Sequence, residues 1–86
     1  MISDQIRTRI KLSVAAYAYE ICDDPIMSDA DFDALSKRVH PMIATGNVVM
    51  DFFFRTVFDP STGIWIRAHP QLDRIADLHR RYYNGK

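Results

Sequence analysis

Cysteine occurs once, at Cys22, so no internal disulfide can form and a cysteine-based zinc site within one chain is excluded. A lone cysteine fits a reducing compartment, since small secreted domains carry their cysteines in pairs, and the expected location is the cytoplasm. An excess of charge of one sign is also missing. The 11 basic and 11 acidic side chains give a formal net charge of zero, which supplies no global field for attracting nucleic acid or for mimicking it. Charged residues interrupt every apolar segment, so no membrane span is expected. No basic leader precedes an apolar run at the N-terminus, and the chain as written is expected to be the mature protein. Internal repeats, low-complexity tracts and flexible linkers are absent too.

What is present suits one small folded domain. The 86 residues are 48% hydrophobic and 12% aromatic, which gives a thin domain bulky material for its core. A chain of this size buries only about 60 to 65% of the surface it exposes when unfolded, so modest stability is expected.

The apolar spacing predicts helices throughout. Ser3 is placed to cap a first helix over about residues 4–22, with Ile6, Ile10, Val14, Tyr17, Ala18 and Ile21 forming its apolar stripe. Asp23-Asp24-Pro25 stops that helix, because the residue before proline avoids helical geometry. Ser28 then caps a second helix whose first turn carries Asp29 and Asp31, the sign its dipole favours, with Phe32, Leu35 and Val39 facing inward. Pro41 and Thr45-Gly46-Asn47 end that segment and start a third helix. There Val48, Val49, Phe52, Phe53, Val57 and Phe58 make an apolar face broad enough for the centre of a bundle, and Phe52, Phe53, Trp65, Leu72 and Ile75 are the expected core. Asp59-Pro60-Ser61-Thr62-Gly63 reads as a turn with a positive φ at the glycine, followed by a short extended strap, Ile64-Trp65-Ile66. Pro70 opens a fourth helix carrying Leu72, Ile75, Ala76, His79 and Tyr83. The fold class is all-α: residues 3–39 form an antiparallel helical hairpin, and residues 47–86 add two helices with the tryptophan-bearing strap.

Several constellations invite chemistry and yield little. Asp29, Asp31 and Asp33 have the spacing of a calcium loop, but Ala34 stands where that loop needs glycine and His40 where it needs glutamate. His40, His69 and His79 lack metal-ligand spacing and are expected at the surface or as caps. Trp65 is expected to be buried, because so small a protein has few other ways to close its core. Exposed, it would be an anchor for a protein partner. Charge is unevenly spread: Glu20, Asp23, Asp24, Asp29, Asp31 and Asp33 make one tip acidic, while Arg67, Arg74, Arg80, Arg81 and Lys86 make the C-terminal half basic. Such a dipolar chain is suited to head-to-tail association of copies or to two different partners.

Tyr17, Tyr19, Asp23-Asp24-Pro25, Asp29, Phe32 and Asp33 together resemble the N-terminal, NMN-binding (Ia-type) domain of bacterial NAD-dependent DNA ligases. The pattern there is roughly Tyr-x-Tyr-[His/Tyr], then Asp-x-Pro, then Asp-x-x-Tyr-Asp at the start of the next helix. The resemblance implies a cofactor site for NAD or NMN at Tyr19, Asp29, Phe32 and Asp33, with rings to stack on the nicotinamide and carboxylates to accept from its carboxamide or from ribose. Two positions depart from the pattern. Glu20 stands where the ligases carry histidine or tyrosine and would repel a phosphate, and Phe32 keeps a stacking face but lacks the tyrosine hydroxyl. Without a ligand, the same residues have ordinary work as hairpin packing, a helix-end charge and a solvated surface.

The ligases' catalytic lysine lies in a nucleotidyltransferase domain to which the resemblance does not extend, and Lys11, Lys37 and Lys86 have no active-site context. A non-enzymatic binding module that holds a nicotinamide nucleotide weakly is therefore expected. The alternative is a protein-interaction or inhibitor protein, of phage or mobile-element origin, that reuses the hairpin after losing the nucleotide.

Overall fold

Short polar side chains start two of the four α-helices in the computed structural model, which describes residues 2–82. The Ser28 hydroxyl accepts from the Asp31 amide at the start of α2, Asp29–Lys37, and the Asn47 side chain accepts from the Met50 amide at the start of α3, Val48–Thr56. These are the N-cap geometries that satisfy otherwise orphaned amides. The first helix, α1, spans Ile2–Glu20, so Ser3 lies inside it instead of capping it. It ends where Asp23 takes a left-handed φ of 53°, a conformation that aspartate tolerates. The last helix, α4, spans Leu72–Tyr82, and a 3₁₀ helix, Ile64–Ala68, precedes it. The protein is all-α, with no strand among the described residues. Tyr83 and Lys86 lie outside the described residues.

The 3₁₀ helix replaces the extended strap expected at Ile64–Ile66. Trp65 and Ile66 are adjacent and both buried, which an extended strap with one face on the core does not allow, because its consecutive side chains point to opposite faces. Gly63 has φ of −104°, not the expected positive value, and the positive glycine φ occurs at Gly46. Trp65 is held by its indole N–H, which donates to the Thr62 carbonyl at 2.7 Å. Its burial removes it as an exposed partner anchor.

The stripe expected on α1 is rotated. Ile6 and Ile10 are 38% and 43% exposed and Ile21 is exposed too, while Gln5, Thr8, Arg9, Leu12 and Ser13 are buried. The cause is the connection after α2, which crosses this face of α1 and brings unpaired backbone groups with it. Gln5 Oε1 accepts from the His40 amide at 2.7 Å, and Arg9 donates to the carbonyls of His40 and Ile43, both at 2.9 Å. Buried backbone groups need partners, and here long polar side chains supply them. Arg9 also pairs with the buried Asp51 carboxylate at 2.9 Å, which ties α1 to α3.

That pair sets the phase of α3. With Asp51 turned inward, Phe53 and Phe54 enter the core, while Val48, Val49 and Phe52 face solvent. The expected core is corrected accordingly: Phe52 is 61% exposed and Phe54 only 1%. Phe53, Phe54, Phe58 and Trp65 pack edge-to-face or tilted, with centroids 5.1–6.1 Å apart. Leu12, Val14, Ala16, Leu35, Val39, Ile66 and Ile75 complete the core around them. α4 and the 3₁₀ helix, more than α2, lie along α1, against a segment in which Ala15, Ala16 and Ala18 are buried. Because Phe52 contributes no core surface, Phe52→Ser should leave the denaturation midpoint nearly unchanged, within about 0.5 kcal/mol by chemical unfolding.

His69 and His79 are buried, contrary to the expectation of surface positions, and His40 is exposed. His69 does serve as a cap, since its Nδ1 accepts from the Gln71 amide just ahead of α4. Burial among Phe53 and Phe54 pushes its pKa from 6.5 down to about 4. The unfolded chain therefore takes up this proton first as pH falls, and the stability tied to neutral His69 is present above about pH 6.5 and lost towards pH 4. Asp51 adds a second, more acidic stage. The Thr45 hydroxyl, with the Thr45 amide and Arg9 in support, holds its carboxyl below 3.8, so its contribution is lost only as pH falls past that value. Thermal melts should show stability falling between pH 6.5 and 4.5, and His69→Gln should flatten that slope.

Candidate functional site

Four segments meet to form an open cleft of about 340 Å³. The C-terminal end of α1 supplies Ala15, Tyr19 and Glu20, and the connection to α2 supplies Pro25, Ile26 and Met27. The first turns of α2 contribute Asp29, Phe32 and Asp33, and the turn at Pro60–Gly63 forms the remaining wall. Tyr19, Asp29, Phe32 and Asp33, the four positions expected from the sequence, thus line one cavity. Tyr17 does not join them. Its ring packs on His79 at 5.4 Å, so the paired tyrosines divide between core and cleft.

No residue pattern marks the 60–63 turn as part of the site. It is a local Asx turn, in which Asp59 Oδ1 accepts from the Ser61 amide at 2.9 Å and from its hydroxyl at 2.7 Å. Gly63 brings this turn close to α1 and α2. A methyl group built on Gly63 would lie 3.4 Å from Phe32 Cζ and 3.5 Å from Glu20 Cγ, so the glycine leaves the space between those side chains open. Arg67 donates from Nη2 to the Glu20 carbonyl at 2.8 Å, which caps the end of α1.

The lining is acidic. Glu20, Asp29 and Asp33 contribute three carboxylates, and no lysine, arginine or histidine lines the cavity. Asp33 pairs with Lys37 at 3.1 Å across the exposed face of α2, a contact of the kind worth less than about 1 kcal/mol. Tyr19 is half exposed and Phe32 is half-buried against the core, so one ring is free to adjust while the other is fixed. Such a site offers two aromatic faces and several acceptors to a flat polar ring.

A second cavity, about 230 Å³, opens between α1, α3 and α4 and contains none of the expected site residues. Arg9 borders it, but that guanidinium is already committed to Gln5, Asp51, His40 and Ile43. Among the described residues no group of three or more histidine, cysteine, aspartate or glutamate side chains is placed to hold a metal ion, and no helix is long and apolar enough to cross a membrane. No family model, curated protein or solved structure matches the chain.

Proposed function

We propose that this protein is a non-enzymatic helical binding module whose cleft takes the nicotinamide end of a nicotinamide nucleotide, NAD or NMN. The observation that carries the reading is the convergence of Tyr19, Asp29, Phe32 and Asp33 on one cavity, together with the opening that Gly63 leaves between Phe32 and Glu20. A volume of about 340 Å³ lies at the small end for ligand pockets, which suits one ring and its sugar better than a whole dinucleotide. The ring lies against Phe32 with Tyr19 closing over it, and the carboxylates accept from the carboxamide N–H groups and ribose hydroxyls. Neither Lys11 nor Lys37 lines the cleft, which supports a binding role without a lysine nucleophile.

Affinity is weak in this reading, because one small domain supplies only part of a site. A Kd near 1 mM corresponds to about 4 kcal/mol of binding free energy. Titration with nicotinamide mononucleotide should shift the NMR signals of Tyr19, Asp29, Phe32 and Asp33 and leave those of Met50 and Ile75 in place. Gly63→Ala should weaken binding several-fold while the fold is retained, since φ at this position suits alanine. Unshifted cleft signals at saturating nucleotide would dismiss the reading.

A protein contact is the second reading, and it belongs to α3. Val48, Val49 and Phe52 form an exposed apolar strip there, of the kind that marks interaction surfaces.

A further inference from the structure

The charge of the cleft narrows its ligand further. A bound ring would face Glu20, Asp29 and Asp33, with no basic side chain in the lining itself. Two cations that touch lining residues have other partners: Lys37 pairs with Asp33 along α2, and Arg67 donates to the Glu20 carbonyl. Phosphate sites are built in the opposite way, with free amides or arginine and lysine converging on the oxygens. The rings of Tyr19 and Phe32 add a preference of their own, because an aromatic face attracts a cation through its quadrupole.

Resting on the reading of the cleft as a nicotinamide site, we infer that it selects a positively charged, phosphate-free pyridinium, and that a phosphate on the ligand weakens binding. The ring's charge and the carboxylates attract, whereas a phosphate dianion brought to the same mouth is repelled by Glu20 and Asp29, Asp33 being paired with Lys37. Salt screens both effects, since the groups are exposed to solvent.

The test compares three probes on the full chain by NMR titration at pH 7 and low salt: 1-methylnicotinamide, which is a cation, nicotinamide, which is its neutral counterpart, and nicotinamide mononucleotide. The cation should bind at least about tenfold more tightly than the mononucleotide, with nicotinamide between them. The double variant E20Q/D29N, which alters two surface side chains, should compress that order and tighten the mononucleotide. Added salt at 0.5 M should compress it likewise. A mononucleotide that binds at the cleft as tightly as the cation overturns the inference and leaves the nicotinamide site standing. If none of the three probes shifts cleft signals, the site itself fails and the inference falls with it.

Discussion

Asp51→Ala should cost about 3 to 5 kcal/mol, among the largest losses any single substitution in this protein produces. Asp51 and Arg9 are both buried and meet at 2.9 Å, and removal of the carboxylate leaves the guanidinium charged in a desolvated site. The Thr45 amide and hydroxyl, which both donate to Asp51, lose their acceptor at the same time. A domain of this size has roughly 4 to 13 kcal/mol in total, so the loss takes a large share of its stability. The double variant Arg9→Met/Asp51→Ala separates pairing from packing. Removing both charges should cost less than the sum of the single losses, because neither is then left alone. Strictly additive losses in urea denaturation would mean that the pair contributes no coupling.

Phe54→Ala should be of similar size, about 3 to 5 kcal/mol, since the ring is only 1% exposed. The ring contacts Phe53, Phe58 and Trp65, and the Arg9 guanidinium lies 5.0 Å from its centroid. Deleting it therefore disturbs the aromatic cluster and the ion pair together. Phe52→Ser, two positions away, should change almost nothing. A scan in which Phe52 and Phe54 matter equally would refute the assigned phase of α3.

Phe52 and Phe54 show where the sequence was readable and where it was not. Helices at these positions follow from caps and breakers that act locally, and Ser28, Asn47 and Asp23 act as such signals do. The phase of α3 is not local. A run of three phenylalanines offers apolar surface on most sides of a helix, and the choice among them is made by Asp51 finding Arg9, 42 positions earlier. The rotation of α1 has the same origin. Gln5 and Arg9 look like solvent residues until the connection after α2 arrives with its carbonyls and amide. The strap is a 3₁₀ helix and not extended because two adjacent apolar residues, Trp65 and Ile66, are both buried.

The candidate site was legible in half. Tyr19, Asp29, Phe32 and Asp33 belong to two consecutive helices, and the spacing of Asp29 and Asp33 on one helix face already placed those two together. The opposite wall comes from Pro60–Gly63, which a turn signature identifies as a turn without saying what it turns towards. Glu20, read from the sequence as an obstacle to phosphate, is a full member of the cleft lining, and its carboxylate belongs to the acidic character argued above.

The most direct measurement is an isotope-filtered NOE experiment on the full chain with bound 1-methylnicotinamide, which reads proximity between ligand and protein protons. Cross-peaks from the pyridinium ring to the aromatic protons of both Tyr19 and Phe32 are the expected result, with none to Met50 or Ile75 in the second cavity. Cross-peaks confined to that second cavity, or to the exposed Val48 and Phe52 of α3, would contradict the assignment of the cleft as the binding site.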